Sequence, residues 1–97
     1  MRRTYQDLAT KQTLLGKTTL PLGFSNFTLA SKVVAVCVPA SSPAKTYRRK
    51  AAEQNRLIDV THGHKTRSVI VTASNHVILS AVACETLQAR LEVLGES

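Results

Sequence analysis

Apolar residues fall in short runs separated by polar breaks, and the periodicity changes from run to run. Lys32 to Val38 (KVVAVCV) is β-branched and almost wholly apolar, which predicts a buried strand with Lys32 at its mouth, facing solvent. Ser42 and Pro43 then read as N-cap and first helical position, so a helix is expected from Pro43 to about Asn55. Ala44, Tyr47, Ala51 and Ala52 would form its narrow inner face. The stretch from Leu57 to Leu79 predicts three short strands joined by two tight turns. The first turn is Thr61-His62-Gly63-His64, with Gly63 supplying a positive φ, and the second is Ala73-Ser74-Asn75. On this reading the first two strands make a hairpin that carries His64, Lys65 and Arg67 at its tip. A second helix is expected over about Ala83 to Leu94, where Leu87, Leu91 and Leu94 share a face suited to the core or to a subunit contact. A turn signal at Gly23-Phe24-Ser25-Asn26 leaves room for a strand within Thr19 to Leu29. The order predicts a small α+β domain, a mostly antiparallel sheet with two helices.

Length adds one constraint. A chain of 97 residues is one small domain, marginally stable by itself, and oligomerisation is a common remedy. Residues 1–18 show no strong period and are expected to be a poorly ordered N-terminal extension, with the domain over 19–94. Cys37 and Cys84 lie in apolar surroundings and form no CxxC pair, so buried free thiols in a reducing, cytoplasmic setting are expected. No apolar run approaches the roughly 18 residues needed to span a membrane, so no membrane partner is expected.

Charge changes the picture more. The formal net charge is +7 and it is unevenly spread. Lys32, Lys45, Arg48, Arg49, Lys50, Arg56, Lys65 and Arg67 crowd the middle against Glu53 and Asp59, while residues after 67 carry Arg90 against Glu85, Glu92 and Glu96. Such asymmetry suggests a polyanionic partner, set against the plainer reading of a solvated basic surface.

Candidate chemistry is thin. Leu15 to Thr19 resembles the end of a phosphate-binding loop, but Lys11 occupies the required glycine position and Pro21 precludes the helix that must follow. His62, His64 and His76 lack partners at metal-ligand spacing, so no metal is expected. Cys37 lies mid-strand, where a thiol is inert, and the carboxylates are too few for an acid–base pair. Asp59 is expected to brace the first turn as an ion pair or turn acceptor. No enzyme activity, cofactor or small-molecule substrate is expected. Nucleic-acid binding fits better: Lys32, Lys65 and Arg67 sit on a firm frame, and Arg48, Arg49 and Lys50 can add helix contacts. Only Tyr5, Phe24, Phe27 and Tyr47 are aromatic, which favours double-stranded DNA over single strands.

The combination Ser25-Asn26, Lys32-Val33-Val34, Pro39 with Ser42-Pro43, Leu57-Ile58-Asp59-x-Thr61-x-Gly63-x-x-Thr66-Arg67, His76-Val77-Ile78-Leu79-Ser80 and Glu85-Thr86 closely resembles the RemA family. These are small bacterial DNA-binding regulators of biofilm extracellular-matrix genes. The resemblance spans about Gly23 to Leu91. It implies a cytoplasmic transcriptional regulator that assembles into ring-like homo-oligomers presenting basic side chains to DNA. The family's DNA-contacting arginines correspond to Lys32, His64 and Lys65, and a further family arginine to Arg67. Lysine lacks arginine's bidentate fork, and a histidine is weakly charged near neutrality, so weaker binding is implied. The alternative is a structural or interaction protein, an oligomeric paralogue whose DNA surface has weakened.

Overall fold

The structure, a computed structural model, describes residues 18–95. The expected N-terminal extension otherwise lies outside them, but Thr18 is tied to the domain, its carbonyl accepting from the Ala30 N–H at 2.9 Å. Six strands and two helices follow in the order β1 (Thr19–Gly23), β2 (Asn26–Leu29), β3 (Val33–Cys37), α1 (Ser42–Glu53), β4 (Leu57–Asp59), β5 (Ser68–Thr72), β6 (Val77–Ser80) and α2 (Cys84–Gly95). A short 3-10 turn, Ala30–Lys32, joins β2 to β3.

The fold is α+β and mostly antiparallel. A four-stranded sheet in the order β3-β5-β6-β4 is the middle layer. Side chains alternate across it, as the pleat requires. Val69, Val71, Val77 and Leu79 pack with Ala44 and Ala51 of α1 on one face. Ile70 and Ile78 pack with Leu20, Leu22 and Leu87 on the other, where the β1–β2 hairpin and α2 lie. Ser41 opens α1, its Oγ accepting from the Ala44 N–H at 3.3 Å, one residue earlier than expected, with Pro43 in the first turn. Asn55 leaves the helix at φ 57°, the left-handed conformation that stops it. Tyr47 and Ala52, expected on the inner face, are exposed, because two alanines suffice to seat α1 closely on the sheet.

Four expectations need correction. The first two strands of the Leu57–Leu79 stretch are not a hairpin: β6 lies between β4 and β5, and β4 pairs with β6 in parallel, Ile58 opposite Ile78. Burial explains the order. β5 and β6 are buried at every position and need neighbours on both sides, whereas β4 exposes Ile58 and Asp59 and suits an edge. The strand over Val33–Cys37 is the opposite edge rather than a fully buried strand, with Val34 66% exposed. Cys37 and Cys84 are free but only partly buried. The region around Gly23 becomes two strands rather than one, and Pro21 is tolerated because it stands on a two-stranded ribbon, facing out.

Candidate nucleic-acid interface

Residues 60–67 connect β4 to β5 by passing over one end of β6. They are pinned at both sides: the Val60 N–H donates to the Leu79 carbonyl at 3.0 Å and the Arg67 N–H to the Ser80 carbonyl at 2.8 Å. Inside the loop, Asp59 Oδ1 accepts from the Thr61 hydroxyl at 2.6 Å and the Thr61 N–H at 2.8 Å. The sequence reading offered Asp59 as ion pair or turn acceptor, and it is the acceptor. Those two bonds, hydroxyl before amide, hold its carboxyl below the usual carboxylate range; slight burial opposes them and the Arg48 charge assists. His62 at φ 57° and Gly63 at φ 80° turn the chain, and the His64 N–H closes the turn on the Thr61 carbonyl at 3.0 Å. Lys65 and Arg67 leave this turn exposed.

The tip of the β1–β2 hairpin reaches the same place from the α2 side of the sheet. Gly23, Phe24 and Ser25 take successive positive φ values of 91°, 54° and 66°. Asn26 Nδ2 locks the tip by donating to the carbonyls of Phe24 at 3.1 Å and Gly23 at 3.3 Å. Phe24 stacks on His64 at a centroid distance of 4.8 Å and on His62 at 5.3 Å. Gly23, Phe24, His64, Lys65, Arg67, Ala81 and Val82 line one cleft of about 440 Å³. A neighbouring cleft also takes Lys65 and Arg67, beside Ala83, Cys84 and Glu85 at the start of α2.

Not all predicted site residues meet here. β3 runs antiparallel to β5 with Val33 opposite Thr72 and Cys37 opposite Val69. Lys32 therefore stands at the end of the sheet away from Lys65 and Arg67, exposed, beside the β5–β6 turn. Lys45, Arg48, Arg49 and Lys50 are all exposed on α1, which runs back along the sheet between the two ends. His76 is apart from the other histidines, its Nδ1 2.7 Å from Ser74 Oγ in the far turn. Among the described residues no group of three or more His, Cys, Asp or Glu side chains is gathered as a metal would require. Burial, then the Glu85 charge and then Cys37, push the Cys84 thiol up from its ordinary value, which disfavours the nucleophilic thiolate. Sequence reasoning treated Gly23 to Asn26 only as a turn and missed Phe24. The turn is legible locally, but its contact with His62 and His64 arises only when the hairpin folds across the sheet end.

A model of the RemA-like family, described as extracellular matrix regulatory protein A-like, matches residues 20–91. A protein of Nitratidesulfovibrio vulgaris (strain DP4) is 54% identical over 78 residues, covering 80% of this chain and 91% of that protein. A protein of Finegoldia magna is 49% identical over 73 residues, covering 75% and 88%. One of Clostridium kluyveri is 43% identical over 82 residues, covering 84% and 89%. Each of the three is named as a regulatory protein.

Proposed function

We propose, from the premise that this chain belongs to the RemA-like family, that it is a regulatory protein acting by binding double-stranded DNA rather than by catalysis. The genes regulated would be those of the extracellular matrix named in the family description. The observation that carries the DNA reading is the exposed Lys65–Arg67 pair on a loop pinned at both sides to the sheet. Ions held on a braced backbone reach phosphates with little ordering cost. The basic outer surface of α1 continues the positive field along the sheet. Lys32 and His64 are secondary contacts in this reading. The site of action is the cytoplasm, where the DNA is; among the described residues no helix is long and apolar enough to cross a membrane.

The regulator would act as a ring-like homo-oligomer. Both sheet edges, β3 and β4, are open to a second copy, and Val34, Phe27 and Val93 are each more than three-fifths exposed. Those apolar residues also favour a second reading, an oligomeric interaction protein with weakened DNA affinity. A salt titration of duplex binding separates the two. Binding with a log K against log salt slope that falls by about two units in the Lys65→Ala/Arg67→Ala variant supports the regulator. Absence of duplex binding near 50 mM salt, an order-of-magnitude choice for exposing phosphate contacts, leaves the interaction protein.

A further inference from the structure

We infer that Phe24 is a direct DNA contact, packing on the sugar and base edge of the nucleotide whose phosphate Lys65 and Arg67 hold; this rests on the duplex-binding reading above. Three observations carry it. First, Phe24 is 47% exposed although it is one of only two phenylalanines in the chain. Second, it is a bulky residue at φ 54°, followed by Ser25 at φ 66°, a backbone conformation that costs on the order of 1–3 kcal/mol per residue in general. The hairpin keeps it there by the Asn26 clamp and by a close approach at Gly23, where a Cβ would meet Val82 Cγ2 at 3.2 Å. A two-residue hairpin turn of this kind requires positive φ at both central positions, which asparagine and glycine normally fill; the chain instead places a phenylalanine there, with its ring half-exposed. Third, the ring shares its cleft with both cations.

The chemistry of that cleft matches one nucleotide unit. Its volume of about 440 Å³ is of the size that accepts a small ligand group. The cations occupy the β4–β5 loop side, and the rings of Phe24 and His64, stacked at 4.8 Å, form the apolar wall. A phosphate on Lys65 and Arg67 brings its own sugar to that wall. Proteins approaching the minor groove use apolar side chains in this way, against sugars and base steps. The stack on His62 and His64 fixes the ring plane before DNA arrives, so little freedom is lost on contact.

The chain has no tryptophan, so Phe24→Trp creates a single fluorescent reporter at the contact. Duplex binding is followed independently by the anisotropy of a labelled duplex. The expected result is that tryptophan emission changes in step with duplex saturation. Phe24→Ala is expected to weaken binding roughly fivefold or more with an unchanged salt slope, because no charge is removed. Phe24→Leu, which keeps an apolar side chain at the tip, controls for folding by its thermal melt and is expected to retain intermediate affinity. If Phe24→Trp binds duplex with no change in emission, or if emission follows protein concentration instead of DNA, the inference is overturned while duplex binding stands. If the unmodified protein binds no duplex, both fall together.

Discussion

Ser68 and Ser80 face each other across β5 and β6, both fully buried, but they are satisfied unequally. Ser80 Oγ donates to the Leu22 carbonyl at 2.8 Å and accepts from the Val82 N–H at 3.1 Å, joining the sheet to the β1–β2 hairpin and to the approach to α2. Ser68 Oγ has no hydrogen-bond partner among the described residues. A buried hydroxyl without a partner costs stability, and one that bridges two elements contributes it. Ser80→Ala is therefore expected to destabilise by about 1–3 kcal/mol and Ser68→Ala to be neutral or stabilising by about 1 kcal/mol. Urea denaturation of the two variants checks the pair; equal losses would contradict the assignment.

Gly23 and Gly63 both have positive φ, at 91° and 80°, but their surroundings differ. A Cβ at Gly23 would meet Val82 Cγ2 at 3.2 Å, whereas one at Gly63 meets nothing within 4 Å. Gly63→Ala is expected to cost about 1 kcal/mol from backbone strain, and Gly23→Ala that much plus the displacement of Val82, about 2 kcal/mol in all. Thermal melts should rank them in that order.

Asp59 links the loop to pH. Its folded-state pKa is depressed by the Thr61 hydroxyl and amide, so the contribution is present above the unfolded carboxylate pKa of about 3.9 and is lost as pH falls through the lower folded value. Asp59→Ala should lower stability near neutrality by about 1 kcal/mol, the net worth of such hydrogen bonds. The difference from the unsubstituted protein should shrink below about pH 4. Denaturation curves at pH 7 and pH 3 test both halves of that statement.

Lys32 and Lys65 are separated by the length of β5, about 17 Å at ordinary strand rise. Substitutions that far apart act independently. If both touch phosphates, Lys32→Ala and Lys65→Ala should each reduce the salt slope of duplex binding by about one unit, and the double variant by the sum. A flat response to Lys32→Ala with a full response to Lys65→Ala would confine the interface to the β4–β5 loop end.

Much was legible locally. Ser41-Ser42-Pro43 announced α1 to within one residue, because capping is decided by neighbouring backbone groups. Gly63 and Asn75 marked turns that do have positive φ. Leu87 marked the buried face of α2. The cationic character of the Lys65–Arg67 segment needed only the side chains themselves, and the same segment anchors the family motif.

Strand order was not legible. A two-residue alternation says which side of a sheet a residue faces, but not which strand stands beside it. β4 and β5 follow one another along the chain and look like a hairpin, yet β5 and β6 are buried at every position and can be covered only from the centre of the sheet, which sends β4 to the far edge. That placement lays residues 60–67 across one end of the sheet and leaves Lys32 at the other. It also lets Phe24 meet His62 and His64, residues distant in the chain. The sequence by itself determined most of the elements, the start of α1 to within one residue and the charge of the loop. Only the tertiary structure decided which cations share a surface with an aromatic ring, because long-range packing, not local preference, sets which strands are neighbours.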